Sequence, residues 1–286
     1  MRKYKELLFQ NIFFFSALIA VAGVFFITVF VFREGWPLWR KYGVLKMLFG
    51  PRWAPGIEGE GVAFGMAPLL MGSFYVTVIA AIMAVPLGVG CAVFLAELST
   101  HWWAKALRPA ISLLAAIPSV VYGFFGLIVI VPLIRKYLGG LGFSLLAGGG
   151  ILAIMILPTI ISVSEDALHS VPKDYKEASL ALGATHWQTI YKVLIPAAQS
   201  WIIAGIILGM GRALGETMAV ILVTGNRPLL PSSPLDPGVT LTGTIGTEWA
   251  YAAGDHARSL FAVGSVLFLL NMVINSLAHV LKKRRE

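Results

Sequence analysis

The stretch PKDYKEASLALGATHWQTIYKVLIP, residues 172–196, is a polar, helix-forming segment in a chain that is otherwise mostly apolar. Residues 173–182 are rich in good helix formers, and Gly183 then supplies the left-handed residue that commonly follows a helix. Thr185 and Gln188 have the spacing of a capping box, which predicts that a second helix begins there. The segment therefore predicts two helices joined by a glycine turn.

The second of these helices carries apolar residues at helical spacing, and this pattern predicts one apolar face. The residues are Trp187, Ile190, Tyr191 and Leu194. Two helices and a turn, set between apolar segments, indicate a docking surface. The alternative is an ordinary loop that joins two membrane spans.

The composition of the whole chain is that of a polytopic membrane protein. Hydrophobic residues make up 58% of the 286 residues and charged residues only 13%. A single soluble core of this size could not bury that much apolar surface. The net charge of +8 does not indicate nucleic acid, because the basic residues cluster at the termini and between apolar segments. We therefore expect a lipid bilayer, and no nucleic acid, as the surroundings of this chain.

Six segments are long and apolar enough to cross a bilayer of ~30 Å, which takes ~20 helical residues. They lie near residues 9–32, 68–95, 111–134, 143–163, 197–225 and 259–281. Both termini are basic, with Arg2, Lys3 and Lys5 at one and Lys282, Lys283, Arg284 and Arg285 at the other. The positive-inside rule places both termini in the cytoplasm, and counting spans inward places residues 172–196 there too.

Two long connections fall on the external side in this scheme. Residues 33–65 contain prolines and glycines, which predicts irregular structure with a short interfacial helix around residues 36–49. Their basic residues argue against an external position, but long loops are weak indicators of orientation. Residues 226–258 contain RPLLPSSPLDPG near their start, and we expect this connection to be too rich in proline for a helix. Either connection is suited to an external partner or simply joins two spans.

Two charged residues lie in the predicted fifth span, on a face that begins with two glycines. On one continuous helix the four residues would fall within about 60° of one another. They are Gly205, Gly209, Arg212 and Glu216. An arginine at mid-membrane costs ~2.5–3.5 kcal/mol, whereas an i,i+4 ion pair returns only ~0.2–0.5 kcal/mol. We expect the two charges to line a polar transport path. The alternative is that they hold this helix against a neighbouring helix through hydrogen bonds.

If that path serves an anion, Arg212 is the natural contact. Its planar guanidinium donates paired hydrogen bonds to oxyanions and stays charged. Glu216 would keep the site close to neutral, so that an anion passes without being trapped.

The sequence lacks the common catalytic motifs. No P-loop, HExxH or GxSxG pattern occurs, and the five histidines show no metal-ligand spacing. We therefore expect no catalytic residue, no metal site and no cofactor in this chain. Glu165 and Asp166 are adjacent near the end of the fourth span, where we expect a solvated acidic edge.

The segment that begins at Glu177 resembles the EAA loop of ABC importer permeases. Gly183 stands at the glycine of that motif, and Val193 to Pro196 match its hydrophobic-Leu-hydrophobic-Pro ending. Ser179 stands where the motif has alanine.

Three further segments resemble the phosphate importer permeases: PLGVGCAVFLAEL from Pro86, IPSVVYGFFGL from Ile117 and GRALGETMAVILVTGN from Gly211. The Met-Ala-Val after Thr217 resembles PstC-like rather than PstA-like subunits. The resemblance covers roughly residue 68 to the C-terminus.

The resemblance implies an all-α type I importer subunit with a MetI-like core and six transmembrane helices in the cell membrane. A first helix and external linker would occupy residues 1–67, and a MetI-like domain residues 68–286, with the EAA loop at 165–196. The loop would seat a coupling helix in a cleft of the ATPase through Glu177, Ala178 and Gly183. Arg212 and Glu216 would take part in phosphate translocation.

The implied partners are a homologous PstA-like permease, two PstB-like ATPase subunits and an extracytoplasmic PstS-like phosphate-binding protein. ATP and magnesium would be bound by the partner ATPase, which would carry out hydrolysis. A permease for another oxyanion such as molybdate, tungstate or sulfate stays open, because one arginine does not distinguish them. An ion-coupled secondary carrier without an ATPase is a more distant alternative, and the missing motifs disfavour a membrane enzyme.

Overall fold

A computed structural model describes residues 2–55, 62–98 and 102–283 of the chain. Within these ranges, six helical segments are long and apolar enough to cross a membrane. In chain order, spans 1 to 6 are Phe9–Tyr42, Ala67–Leu98, Ser119–Leu138, Leu145–His169, His186–Leu214 and Asp255–Ser276. The prediction of an all-α polytopic chain with six spans is confirmed. The basic C-terminal Arg284 and Arg285, and the side chains of the other basic terminal residues, lie outside the described part.

The N-terminal part contains one long helix and a small hairpin. Its elements are α1 (Arg2–Tyr42), α2 (Val44–Phe49), β1 (Trp53–Ala54), β2 (Ala63–Phe64), α3 (Ala67–Val93) and a π-helical turn (Phe94–Leu98). The strands pair antiparallel. The predicted interfacial helix over residues 36–49 is partly wrong, because α1 continues through Pro37 to Tyr42 and α2 is a separate, shorter helix. Gly35 lets α1 approach span 6 closely, since an added Cβ would lie 3.0 Å from the Cα of Ala262.

The middle of the chain contains a helix break that the hydropathy pattern did not indicate. The elements are α4 (Trp102–Ala116), α5 (Ser119–Phe125), a π-helical turn (Gly126–Ile130), α6 (Val131–Leu138) and α7 (Leu145–His169). The predicted third span at 111–134 is displaced, because Pro118 has an extended ψ of 140° and separates α4 from α5. A proline disfavours helical geometry at the residue before it, which explains the break.

The C-terminal part holds the remaining helices. They are α8 (Lys173–Ala181), α9 (His186–Thr189), a π-helical turn (Ile190–Leu194), α10 (Ile195–Leu214), α11 (Met218–Val223), α12 (Leu241–Glu248) and α13 (Asp255–Lys283). The predicted fifth span at 197–225 is displaced at both ends, because helical structure starts at His186 and stops at Leu214. The prediction of no helix in residues 226–258 is also wrong, since α12 forms beyond the proline-rich stretch.

Spans 2, 4 and 5 form the core of the bundle, with α7 at its centre. In α7, 61% of the most apolar 18-residue stretch is buried, against 0% in span 1. Glycines bring α3 and α7 together: a Cβ on Gly149 would lie 2.5 Å from Ile79, and one on Gly88 would lie 2.7 Å from Ile160. This close approach places the ends of α3 and α7 next to the loops described below.

The bundle has two ends, which we name by the helices they carry. At the α8 end, α8 and α9 lie beside the turn Phe94–Leu98, where span 2 finishes. At the α12 end, the indole nitrogen of Trp53 in β1 donates to a carboxylate oxygen of Glu248 at 3.0 Å, and His256 lies 2.7 Å from the same carboxylate. The amine of Lys41 also meets Asp255 at 2.5 Å there. These contacts tie the first connection to α12 and α13.

Candidate functional site

The two charged residues predicted to share one helix face are separated by a break in the helix. Helix α10 carries Arg212 and ends at Leu214, whereas Glu216 lies between α10 and α11. Gly215 at the break has ordinary right-handed angles, φ −84° and ψ −5°. The N–H of Gly215 still bonds to the carbonyl of Gly211, but the N–H of Glu216 bonds to that of Ala213, only three residues back. The expectation that one continuous helix carries both charges is therefore wrong, because regular helical hydrogen bonding ends before Glu216.

Arg212 is exposed on the surface of the chain within span 5. Among the described residues, no hydrogen bond or ion pair of its guanidinium is found, so it does not pair with Glu216 in this chain. Its charge is close enough to act electrostatically on the phenol of Tyr122 in α5, whose hydroxyl donates to the carbonyl of Leu114 at 2.6 Å. A guanidinium with free donors in a span suits an anionic ligand.

Glu216 accepts two hydrogen bonds just before α11, one at its side chain and one at its backbone carbonyl. Its carboxylate accepts a hydrogen bond from the backbone N–H of Ala219 at 3.2 Å, and its carbonyl accepts one from the hydroxyl of Thr242 at 2.7 Å. A carboxylate at a helix N-terminus meets free N–H groups and the positive end of the helix dipole. Glu216 is thus held by the helix it caps rather than by Arg212.

A cluster of hydroxyl groups surrounds this break, and sequence reasoning missed it. The Thr240 hydroxyl caps α12 by accepting from the N–H of Gly243 at 3.0 Å, and it lies 3.2 Å from the Thr242 hydroxyl. The Ser73 hydroxyl of α3 accepts from the N–H of Leu241 at 2.9 Å. A threonine that precedes an apolar residue is an N-cap signal, and the run TLTGT from Thr240 could have indicated α12.

The glycines of this region permit close helix contacts. Gly205 and Gly209 of α10 face α7, where an added Cβ would lie 2.9 Å from Val163 and 3.1 Å from Ile160 respectively. Gly123 of α5 lies against α11, with an added Cβ 3.0 Å from the Cα of Ala219. The break therefore lies among α5, α7 and α12, and it combines a carboxylate, several hydroxyls and a guanidinium that has no partner among the described residues.

The second predicted site, the loop between spans 4 and 5, has the two-helix form expected from the sequence. Gly183 follows α8 with φ +84°, and its N–H donates to the carbonyl of Leu180 at 2.9 Å. The capping box is complete, because the N–H of Gln188 donates to the Thr185 hydroxyl at 3.2 Å and the N–H of Thr185 donates to the Gln188 side chain at 2.9 Å. The hydroxyls of Ser179 and Thr189 also meet at 2.9 Å and join α8 to α9.

The three residues predicted to contact an ATPase, Glu177, Ala178 and Gly183, are all exposed in this loop. Large apolar side chains are exposed beside them, including Leu182, which is 89% exposed, and Trp187, which is 63% exposed. Exposed apolar groups concentrated at one turn are typical of an interaction surface. The structure therefore leaves the predicted contact residues accessible.

The apolar face predicted for the second helix is buried only in part. Ile190 and Leu194 are buried, whereas Trp187 and Tyr191 are 63% and 64% exposed. The regular helix is interrupted here, because residues Ile190–Leu194 form a π-helical turn. One pair packs into the bundle and the other is left on the surface of the loop.

Glu165 does not form the solvated acidic edge that the sequence indicated. Its carboxylate accepts from the guanidinium of Arg108 in α4 at 2.6 Å, and its side chain is only 13% exposed. Asp166 is exposed, as expected. Within the described ranges, no group of three or more His, Cys, Asp or Glu side chains is placed to hold a metal ion.

Comparison with known proteins identifies the family. Residues 84–286 match the model of the binding-protein-dependent transport system inner membrane component family. The chain is 42% identical to the probable ABC transporter permease protein YqgH of Bacillus subtilis, over 94% of this chain and 88% of that protein. It is 35% identical to the phosphate transport system permease protein PstC of Pasteurella multocida, over 98% of this chain and 92% of that protein.

Solved structures share the fold. The MetNI methionine ABC transporter in an inward-facing conformation matches with a TM-score of 0.61 at 20% identity, over 77% of this chain and 98% of that chain. A bacterial ABC transporter for alginate matches with a TM-score of 0.60 at 16% identity, over 99% of both chains. The chain thus has a MetI-like fold and belongs to the binding-protein-dependent transport system inner membrane components, as a multi-pass membrane permease subunit rather than an enzyme.

Proposed function

We propose that this chain is the PstC-like membrane subunit of an ATP-driven importer of inorganic phosphate. The observation that carries the proposal is the similarity, at 35% identity over 98% of the chain, to a permease named for phosphate transport. The exposed guanidinium of Arg212 in span 5 supports it. A fixed positive charge with free hydrogen-bond donors can bind an oxyanion, and its exposure allows the anion to leave again.

The α8 end faces the cytoplasm in this proposal. Six spans bring both termini to one side of the membrane, and the basic residues of both terminal segments favour the cytoplasm. The loop between spans 4 and 5 lies on that same side. The α12 end then faces outward, where a binding protein can reach it.

A permease of this family works with a separate binding protein and an ATPase. We infer a PstA-like permease, two PstB-like ATPase subunits and a PstS-like phosphate-binding protein as the partners. ATP and magnesium are bound by the ATPase, which docks on the exposed loop that carries Glu177, Ala178 and Gly183. The positive φ of Gly183 sets the angle between α8 and α9, and so the shape of that docking surface.

Transport depends on the break in span 5. Arg212 offers hydrogen-bond donors to phosphate, while Glu216 stays at the start of α11 and limits the net positive charge nearby. Helices α10 and α11 meet at this break and do not form one regular helix. The angle between them can therefore change with little loss of helical hydrogen bonding.

The test is phosphate uptake by the complete complex reconstituted in liposomes with its ATPase and binding protein. Replacing Arg212 with Gln should lower uptake at least about 10-fold, because a lost hydrogen bond to a charged group costs ~1.5–3 kcal/mol. Arg227→Gln removes the same charge from an exposed position outside the spans and should leave uptake nearly unchanged.

Normal uptake by the assembled Arg212→Gln complex would contradict the role of Arg212. Competition by molybdate, tungstate and sulfate in the same assay tests the cargo. Uptake that sulfate or molybdate blocks better than excess phosphate does would contradict the assignment to phosphate.

A further inference from the structure

The π-helical turn Phe94–Leu98, where span 2 ends, holds an ion pair with the loop between spans 4 and 5. The carboxylate of Glu97 lies 2.5 Å from the amine of Lys176 in α8. The Glu97 side chain is only 10% exposed and that of Lys176 36%. A partly buried pair resists screening by salt, and removing one partner leaves the other charge without compensation. The pair therefore fixes α8 to the end of span 2.

The same turn also contacts α9. The backbone carbonyl of Glu97 lies 3.3 Å from the Nε2 atom of His186, the first residue of span 5. Both helices of the loop are thus joined to one residue of the turn, α8 through a side chain and α9 through the backbone. A cleft of about 310 Å³ lies beneath α8 and is bordered by Glu97, Lys176 and Leu168.

On its other side, the turn is joined to α4 and α7. The guanidinium of Arg108 in α4 donates to the carbonyl of Leu95 at 3.3 Å, and it forms the ion pair with Glu165 of α7 at 2.6 Å. Leu95 itself is buried, with Ile111 of α4 and Ile161 of α7 in the same apolar cluster. Four helices, α4, α7, α8 and α9, therefore meet at five residues of span 2.

The geometry of the turn suits this role. A π-helical turn has one extra residue for each hydrogen-bonded ring, which interrupts the regular pattern of the helix and is common at functional positions. The carbonyls of Leu95 and Glu97 accept from side chains of other helices instead of only serving their own. A displacement of α8 thus acts directly on span 2, and through Arg108 on α4 and on the end of span 4.

We propose that the turn Phe94–Leu98 carries the movement of the α8–α9 loop into spans 2 and 4, with Glu97 and Lys176 as the positioning residues that link them. The inference rests on the proposed function, because it supposes an ATPase that moves the loop. It assigns no contact with the ATPase or the cargo to either residue. Their role is to keep the loop and the spans moving together.

The experiment measures phosphate uptake and ATP hydrolysis in the same liposomes, which contain the complete complex. Glu97→Gln and Lys176→Met should retain the ATPase through purification. The number of phosphates taken up per ATP hydrolysed should fall about 5-fold, within the range of coupling changes seen for residues between two sites. A merely structural role would lower both rates together and leave this ratio unchanged.

The charge-swapped variant, Glu97→Lys combined with Lys176→Glu, should restore most of the ratio, because the pair re-forms with opposite polarity. It also decides the matter where a single variant fails to assemble. A swapped complex that is uncoupled or does not assemble would overturn the inference. Lys173→Met is the matched control, since Lys173 lies on the same helix, is exposed and has no ion pair among the described residues.

A ratio lowered equally in Lys173→Met and Lys176→Met would also overturn the inference, because loss of any charge from α8 would then explain the effect. Failure of the proposed function would look different. Wild-type complex that takes up no phosphate would contradict the assignment of cargo. Wild-type uptake together with unchanged coupling in all variants would contradict only the role of the turn.

Discussion

Two glycines mark interruptions in helical structure, and they differ in kind. Gly183 between α8 and α9 has φ +84°, whereas Gly215 between α10 and α11 has φ −84°. At Gly183 the left-handed angle itself ends the helix, and Thr185 then starts the next one through its own side chain. At Gly215 the angles are those of an ordinary residue, so glycine is not what ends α10.

The interruption at Gly215 is stabilised by residues distant in sequence. Thr242 donates to the carbonyl of Glu216, and Gly123 of α5 lies against Ala219 just beyond the break. The comparison shows that a helix can be ended by the preference of its own residues or by contacts with its neighbours. Only the first kind is visible in a sequence.

The largest expected effect is the difference between a substitution at Gly183 and one at Gly215. Gly183→Val should destabilise the turn by about 1–3 kcal/mol, because a β-branched residue tolerates positive φ poorly. The ATPase should be lost or uncoupled, and uptake should fall about 10-fold or more. Gly215→Ala should change stability by less than about 0.5 kcal/mol, because its φ is ordinary and the nearest atom to an added Cβ is 3.5 Å away. Co-purification of the ATPase and uptake by the reconstituted complex measure both.

Equal losses in these two variants would contradict the distinction between them. So would full transport by Gly183→Val with its ATPase retained.

The second largest effect is expected at the hydrogen bond between the Thr242 hydroxyl and the carbonyl of Glu216. Thr242→Val keeps the shape of the side chain but leaves the carbonyl of Glu216 without the hydroxyl that donates at 2.7 Å. The free energy of unfolding should fall by about 1–2 kcal/mol, measured as a lower midpoint of thermal unfolding in detergent. Thr247→Val is the control, since among the described residues the Thr247 hydroxyl bonds only to carbonyls of its own helix, at Gly243 and Thr244. A control variant that is destabilised as much as Thr242→Val would show that the contact with Glu216 has no special weight.

A smaller effect is expected at the turn between α8 and α9, where Thr185 begins the second helix. Thr185→Ala removes the hydroxyl that accepts from the N–H of Gln188, and loss of an N-cap costs about 1 kcal/mol. Thr185→Ser retains the hydroxyl and should behave as the wild type. The midpoint of thermal unfolding of the purified permease measures the difference. If serine fails to substitute for threonine here, the cap is not what begins α9.

The smallest effect is a pH dependence in the loop that precedes α12. The hydroxyl of Ser232 and the backbone N–H groups of Ser232 and Ser233 donate to the Asp236 carboxylate at 2.7, 2.8 and 2.9 Å. These hydrogen bonds hold the pKa of Asp236 below its ordinary value. Because the pKa is lower in the folded chain, the stabilisation is present above the ordinary pKa of about 4 and is lost as the pH falls through the folded value.

Asp236→Asn should accordingly be slightly less stable than the wild type near neutral pH, and the difference should shrink in acid. Thermal unfolding of both proteins near pH 7 and near pH 3 tests this. A difference that grows as the pH falls would contradict the assigned direction of the pKa.

Much of the fold follows from local sequence signals, but the boundaries of several helices do not. The number of spans is visible because each needs a long apolar run, and the order of α8, Gly183 and Thr185 is visible because each signal acts within a few residues. The end of span 5 is misplaced by hydropathy because an apolar run resumes at Met218 and continues through α11, only three residues after Gly215. Hydropathy alone cannot distinguish one helix from two that follow each other.

The candidate site divides in the same way. The sequence identified Arg212 and Glu216 as unusual because charge is costly within a span. It could not show that the Thr242 hydroxyl bonds to the carbonyl of Glu216 or that the Ser73 hydroxyl bonds to the N–H of Leu241, since these contacts join segments far apart in the chain. Glu165 was misread for the same reason, because its partner Arg108 lies 57 residues earlier.

The sequence by itself determined that this chain crosses the membrane six times and carries a loop of two helices joined by a glycine turn. Those properties depend on the length of apolar runs, on the backbone freedom of Gly183 and on hydrogen bonds within one turn. The tertiary structure alone decided where span 5 breaks, which residues hold Glu216, and that Glu97 meets Lys176 across 79 positions of sequence. Such contacts form only after the spans have packed together, because the partners are then brought within hydrogen-bond distance by the glycine-lined approach of α3, α7 and α10.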